Sequence, residues 1–596
     1  MSRVTTIGET RQHQFDLCVV GGGMAGMIAA ISAARHGARV ALVQDRPVLG
    51  GNASSEIRMH ICGAHGPDNR ETGILEELFL ENHYRNPEPN YAIWDSVLYG
   101  KAQYQENLTL FLNCSVSSCA MDGTRIQSVT AWQLTTETWH TIEARLFADC
   151  SGDGILAPLS GAEFRIGREA RDAFGESIAP VAGDRKTMGM SCLLQAREHT
   201  TPQPFIAPSW AHKFTKPEDL RGRHTNLRHT NYWWMEVGGE HDSIHDTEML
   251  REDLLRIAFG VWDYIKNYAP DKDQLANWAL DWQGFLPGKR ESRRYIGDHT
   301  MTQLDIEAGG HFDDIVAYGG WSMDDHFPAG FYHPEAGTIY HPAPSPFGIC
   351  YRSLYSRNID NLFCAGRNHS ATHAAMSATR VMGTTSTMGQ AVGTAAAIAV
   401  RAGLTPRGVL QERLRELQQT LMDDDCYLPW RRRLVPALAS QAELTATEGD
   451  PEPLRNGVDR PVGGADNGWT GALGSSVTYA FAEPVDIHQV RLVFDSDLNR
   501  CDPDKGPHSG TSKNMRHAYA LNAAPWAVPA TLVRRFRIEI RNETGGWETV
   551  FEEANNYQRL VRVPLDKAGA KAIRFTPLAT WGAEKVHLFA FDVSAN

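Results

Sequence analysis

The chain lacks several features that would place it in a class at once. None of its ten cysteines forms a CxxC pair or has zinc-ribbon spacing, which argues against a dithiol–disulfide reductase and against a cysteine-held metal. No uncharged apolar run reaches about 18 residues, so no transmembrane helix is expected. Met1 to Gln14 is polar and has no apolar core of the secretory kind, so a soluble, cytoplasmic protein is expected. Basic clusters are absent too. With 58 Lys and Arg against 71 Asp and Glu, the formal net charge is -13, and neither nucleic acid nor an anionic membrane is an expected partner.

What is present is ordinary globular composition, 42% hydrophobic and 22% charged, with nothing fibrous or disordered about it. A chain of 596 residues exceeds what one core fills, so two or three domains are expected. Cys18, Cys150 and Cys364 sit in apolar, strand-like stretches, as reduced, buried cysteines do.

The first informative segment is Phe15 to Val20, FDLCVV, an apolar run suited to a buried parallel strand. It runs into Gly21-Gly22-Gly23-Met24-Ala25-Gly26, a GxGxxG match. An Ala- and Ile-rich stretch of helical spacing follows to His36, closed by Gly37, and Arg39 to Val43 is a second apolar strand. Set in this βαβ unit, the motif predicts a dinucleotide site. Gly21 allows the tight turn, Gly23 lets a pyrophosphate approach the backbone, and Gly26 lets helix and strand pack closely. The amides at Met24 and Ala25 then face the phosphates. The usual acidic ribose partner is replaced by Gln44, followed by Asp45 and Arg46, which leaves open whether Gln44 or Asp45 holds the ribose.

Three further segments carry a family resemblance. Arg46 to Glu56 reads RPVLGGNASSE, Ala144 to Gly154 reads ARLFADCSGDG, and Asn361 onward reads NLFCAGRNHSATHAAMSATRVMGTTSTMGQAVGTAAAIA. Together with the N-terminal motif they resemble the FAD-dependent oxidoreductases of the glutathione-reductase-like superfamily, over about residues 15 to 400. The resemblance is strongest to a bacterial branch that often carries an extra β-rich C-terminal domain. It implies FAD as cofactor, approached by Gly50, Gly51, Asn52, Ser54 and Ser55 after the second strand, and by Val116. It also implies contacts from Ser151, Gly152 and Asp153 where the chain returns to the nucleotide domain, and from Gly366, Arg367, Arg380, Thr384 and Thr385 in the C-terminal motif. The helix from Thr385, almost wholly Gly, Ala, Thr and Met, would be aimed at the isoalloxazine ring and packed closely on cofactor or sheet.

The implied fold is an α/β Rossmann-type FAD-binding fold with an interleaved α+β substrate domain and a C-terminal β-sandwich. Its expected limits are 1–185 and 340–428 for the FAD domain and 186–339 for the substrate or cap domain. A linker at 429–454 and a sandwich at 455–596 follow. Short alternating runs such as Val477 to Phe481, Val490 to Phe494 and Arg535 to Ile540 support the last of these, which looks like a discoidin or galactose-binding-like module.

In the middle region Thr187 to Ala196 is strand-like and Thr247 to Asn267 is an amphipathic helix. Trp233, Trp234, Trp278, Trp282, Tyr318, Trp321, Phe327, Phe331 and Tyr332 suit a core one by one, and as a group are compatible with a sugar or other ring. Arg290, Arg293 and Arg294 lie in PGKRESRRYIGD, where an arginine can hold a carboxylate or form a salt bridge. Oxidation of an alcohol or amine needs a base, for which His373 and then His369 are the candidates, four residues apart after the Ala365-Gly366-Arg367 turn. Zinc is not expected there, since Ser370 follows His369 and no third ligand is evident. Glu56, Arg58, His60 and Cys62 would share one side of an extended stretch, with His60 a further catalytic candidate and His60 or Cys62 a conceivable covalent flavin tether.

The expected function is therefore hydride transfer to FAD from a C–H bond bearing a hydroxyl or amine, on a small molecule that includes sugars or glycans. A flavin-dependent reductase with an external donor, or a glycan-binding scaffold with structural flavin, are the alternatives. A homo-oligomer is compatible with the sequence.

Overall fold

The glycine-rich turn at Gly21 follows a strand that carries the first sheet. The computed structural model describes residues 8–66, 68–227, 231–498, 514–543 and 545–595; Cys501 lies outside them. Strand β1 (Glu9–Val20) is exposed over its first half and buried over LCVV, so its apolar end is the one that seats in the core. It pairs in parallel with β2 (Val40–Val43) on one side and β6 (Thr138–Asp149) on the other. Strands β3 (Leu108–Phe111), β4 (Cys114–Asp122) and β5 (Arg125–Gln133) complete the order β3-β2-β1-β6-β5-β4, and Leu362–Cys364 pairs in parallel with β6. Val20 is level with Val43 and with Asp149. The chain reverses its direction of winding at β1, and the crevice beyond the ends of β1 and β6 is where such sheets bind ligands.

Helix α1 (Met24–Arg35) is buried almost throughout. The helix Met382–Ala402 packs on it at backbone distance: a Cβ on Gly389 would meet the Ala25 carbonyl oxygen at 2.1 Å, and one on Gly393 the Ala29 oxygen at 2.1 Å. Ser32 Oγ and Thr394 Oγ1 bond across the seam at 2.9 Å. Its Gly/Ala/Thr composition thus serves a neighbouring helix, while Met382 and Thr385 at its start line the cavity described below. The helix begins at Met382.

The clustering of contacts gives two units. The first holds residues up to Ala64, Pro89–Leu417 and Asn514–Ala524; the second holds His65–Glu88, Gln418–Lys513 and Pro525–Asn596. Within the first, short strands cover the sheet's open end. Met190–Ser191 lies between Glu236–Val237 and Gly288–Lys289, while Leu194–Glu198 pairs with Trp278–Gln283 and Ala518–Tyr519. The helix Thr247–Asp263 packs into their core beside Met190, Trp234, Trp278 and Phe331. Trp234, Trp278, Tyr318 and Phe331 of the aromatic set are therefore core, and Tyr332 is exposed.

The second unit is antiparallel. Its seven-stranded sheet is built around two long strands, Val477–Phe494 and Leu560–Thr580, which pair with three register shifts. Phe494, Phe536, Phe575 and Phe591 fill its interior, with ring centroids 5.4 to 6.1 Å apart. Glu443–Ala446, expected in the linker, pairs with Val477–Ala480 as an edge strand because Leu444 finds a buried place. No helix among the described residues is long and apolar enough to cross a membrane.

Candidate functional site

A cavity of about 490 Å³ opens at the ends of β1 and β6. Gly21, at φ +99°, makes the turn out of β1, and a Cβ there would lie 2.5 Å from the Ser151 Cα. A Cβ on Gly26 would lie 1.9 Å from the Gly21 carbonyl oxygen, so this glycine lets α1 close on the strand and stays off the cavity wall. Gly23 caps α1 without a side-chain bond and no acid stands in the helix's first turn. A Cβ on Gly23 would meet only the Gly51 Cα, at 3.9 Å. The result is an unblocked helix N-terminus facing open space, the arrangement that takes a phosphate.

Gln44 and Asp45 both line the cavity, and their roles separate. Gln44 Oε1 accepts from the Gly22 amide at 2.7 Å and its Nε2 donates to the Val48 carbonyl at 3.1 Å, so its amide braces the glycine loop. Asp45, with 61% of its side chain exposed beside Arg46 at 3.6 Å, is the residue left for a ribose. Met24, Ala25, Arg46, Gly50, Gly51, Asn52, Val116, Ser151, Gly152, Asp153, Gly366, Arg367, Arg380 and Thr385 also line the cavity. Asp153 is held by Lys289 at 2.9 Å and Arg367 at 2.5 Å; burial raises its pKa, but these two cations outweigh it and hold the carboxyl below its usual range. Glycines, uncapped helix start, an exposed carboxylate at Asp45 and small residues at the start of Met382–Ala402 together fit FAD.

Several sequence candidates lie elsewhere. Ser54 Oγ donates to the Gly51 carbonyl at 2.7 Å, and the Ser55 amide donates to Asp95 at 3.1 Å; neither lines the cavity, nor does the buried Thr384. The Glu56–Cys62 stretch is not extended: Ser55–Ile57 form a turn, Glu56 faces Arg46, and Arg58 sits between the rings of Tyr91 and Trp282. Only His60 and Cys62 of that set reach the cavity. His369 and His373 do not share a helical face, because the helix begins at His373. His369 Nδ1 faces the Gly366 carbonyl at 3.0 Å and its Nε2 faces Thr379 at 3.2 Å; burial lowers its pKa to about 4. His373 is clamped between Glu291 at 2.8 Å and Asp325 at 3.0 Å. Neither ring lines the cavity.

The far wall carries a charged constellation of which the sequence singled out Arg290 alone. His326 Nδ1 faces Glu236 at 2.6 Å and Nε2 faces Asp324 at 3.3 Å. Burial opposes a charge on this ring, but Glu236 and Asp324 outweigh it and raise its pKa above 6.5. Arg290 faces Glu236 at 3.5 Å and donates to Ser191 Oγ at 2.9 Å and to the Trp233 carbonyl at 2.9 Å. Arg294 is spent on Glu291 and Glu169, and Arg293 on the Asp153 carbonyl. Trp233, Trp321 and Tyr340 add aromatic wall. His60 is neutral: burial and His517 lower its pKa to about 3, with Asn231 Nδ2 at 3.1 Å from Nδ1 and Cys62 Sγ at 3.2 Å from Nε2. The available signal was SMDDHF, in which alternation along Met323–His326 puts Asp324 and His326 on one side and Asp325 on the other.

Comparison with known proteins adds the following. The sequence model of a family described as FAD dependent oxidoreductase matches residues 16–421. A soluble pyridine nucleotide transhydrogenase of Chromohalobacter salexigens is 52% identical over 42 residues, 7% of this chain and 9% of that protein. A glycerol-3-phosphate dehydrogenase of Mycobacterium leprae is 37% identical over 69 residues, 12% of each. The chain thus spans about a tenth of the length of these curated relatives. Among solved structures, the L-proline dehydrogenase of P. horikoshii is 19% identical over 24% of each chain, with a TM-score of 0.16. A family 32 carbohydrate-binding module of Streptococcus pneumoniae EndoD is 16% identical over 27% of this chain and 97% of that one, with a TM-score of 0.19.

Proposed function

Because the chain belongs to the FAD-dependent oxidoreductase family, with FAD as its cofactor, we propose that it oxidises a small molecule at a carbon bearing a hydroxyl or an amine, sugars included. Bound flavin supplies a hydride acceptor. The chain's own part is to orient the substrate and to receive its proton. The observation that carries this reading is His326 on the far wall, oriented through Nδ1 by Glu236 at 2.6 Å.

In its neutral form His326 keeps Nδ1–H on Glu236, and Nε2, which faces Asp324 at 3.3 Å, becomes the acceptor when a substrate hydroxyl takes that place. For an alcohol, the O–H and C–H bonds break and a C=O forms. His326 Nε2 would take the proton, and FAD held at Gly21, Gly23 and the start of α1 would supply the two-electron acceptor for the hydride, with an external oxidant restoring it. The base role passes to His326, which lines the cavity, from His373 and His369, which do not. Trp233, Trp321 and Tyr340 support a substrate with a C–H face to stack. Tyr340 stays a neutral phenol, with burial and Asp324 pushing its pKa up to about 12.

The test is anaerobic titration of the FAD-loaded protein with alcohols, polyols and amines. Bleaching of the flavin bands by at least one such compound is expected. Flavin that none of them bleaches, but that an external reductant and an unsaturated acceptor cycle, would replace oxidation with reduction.

A further inference from the structure

One cation of the cavity, Arg380, has a buried nitrogen that no acceptor meets. We propose that Arg380 seats the carboxylate of a hydroxycarboxylate substrate, a class that includes sugar acids; this rests on the oxidation proposed above. Arg380 stands just before Val381, which caps the Met382–Ala402 helix without a side-chain bond. Its guanidinium reaches Asp324 through Nη2 alone, at 3.3 Å from both the carbonyl and a carboxylate oxygen. Its Nε is buried and bonds to nothing. A buried guanidinium N–H without an acceptor is costly, and Nη1, which bonds to no protein group, is left for a carboxylate in the cavity to accept from.

Each of the other arginines and lysines lining the cavity faces at least one partner. Arg290 donates to Ser191 and to the Trp233 carbonyl and faces Glu236; Lys289 and Arg367 hold Asp153; Arg46 faces Asp45 and Glu56. Among the described cations lining the cavity, Arg380 alone has a buried nitrogen with no partner.

The carboxylates point the same way. Asp324 takes His326, Arg380 and, at 2.5 Å, the Thr338 hydroxyl. Glu236 takes His326, Arg290 and, at 2.7 Å, the Gly189 amide. Neither is open to an ammonium group, which an amine substrate would need, whereas a hydroxyl needs no anion. Once the hydroxyl proton reaches His326, the new imidazolium sits beside the substrate carboxylate, and the two charges offset each other.

The test uses the FAD-loaded full chain without oxygen. Glycolate and D-gluconate are titrated against ethylene glycol, D-glucitol and ethanolamine, following both perturbation of the flavin bands at equilibrium and bleaching. Carboxylates are expected to bind at least about tenfold more tightly than their neutral counterparts. Arg380→Met is expected to abolish that preference with FAD content unchanged, and Arg380→Lys to retain part of it. Should Arg380→Met fail to hold FAD, the lysine variant decides by the same titration.

Equal binding of charged and neutral compounds would overturn the proposal, as would a preference undiminished in either variant. So would a lowered flavin midpoint potential in Arg380→Met with carboxylate affinity intact, since the guanidinium would then serve the cofactor. Bleaching by neutral polyols without Arg380-dependent carboxylate binding removes the anchor and leaves the oxidation standing. Arg380-dependent binding with no bleaching by any alcohol supports the anchor and removes the oxidation.

Discussion

The two ends of the cavity are built from different materials. At the nucleotide end the working groups are mostly backbone: the turn at Gly21, the uncapped start of α1, and the approach of Gly23 to Gly51. At the far end they are side chains from separate short strands, with Glu236, Arg290 and His326 brought together across the chain. A backbone site needs particular residues at fixed spacing, so it leaves a motif. A side-chain site needs only that its members meet, and leaves almost none.

The comparison breaks most completely at Gly26. A Cβ there would lie 1.9 Å from the Gly21 oxygen and 2.8 Å from the Cys150 side chain. Gly26→Val is expected to leave the purified protein nearly colourless, its flavin-to-chain absorbance ratio close to zero, since α1 cannot close without backbone shifts. His326→Gln sharpens the contrast. FAD content should be unchanged, while the rate of anaerobic flavin reduction falls roughly 10²–10⁴-fold, the usual worth of a positioned acid or base.

Less of the far wall than of the near one was legible, for physical reasons that individual residues show. The order of the three flavin motifs was visible because each marks a strand end. The cap core was visible as aromatics, but which of them reached the cavity was not: Trp234 is core and Trp233, its neighbour, is wall. Gln44 and Asp45 stood level as ribose candidates because nothing in sequence shows that the Gln44 amide braces Gly22 at 2.7 Å. His373 stood near the right motif but faces Glu291 and Asp325, partners that lie far off in the chain. Residues 65–88 and 514–524 change units through pairing that local patterns do not carry.

His373 also separates support from chemistry. Burial lowers its pKa, but Glu291 and Asp325 outweigh burial and raise it from 6.5 to about 10. A pKa raised on folding contributes stability that is whole below pH 6.5 and is lost as pH rises through about 10. His373→Gln should cost a few kcal/mol at pH 6.5, leaving two buried carboxylates facing each other. Its thermal midpoint should then change little over the window in which the unsubstituted protein's falls. Asp45→Asn should have the smallest effect. Its side chain is 61% exposed, and losing one charge-assisted ribose contact should weaken FAD binding by about fivefold, measured by fluorescence titration of the apoprotein.

The most direct measurement is the pH dependence of anaerobic flavin reduction in three proteins: unsubstituted, His326→Gln and His373→Gln. The rate should rise with pH through a group above 6.5, the direction in which Glu236 and Asp324 move His326. That limb should vanish in His326→Gln and persist in His373→Gln. A limb that survives in His326→Gln, or disappears only in His373→Gln, would contradict the assignment of the far wall as the seat of proton transfer.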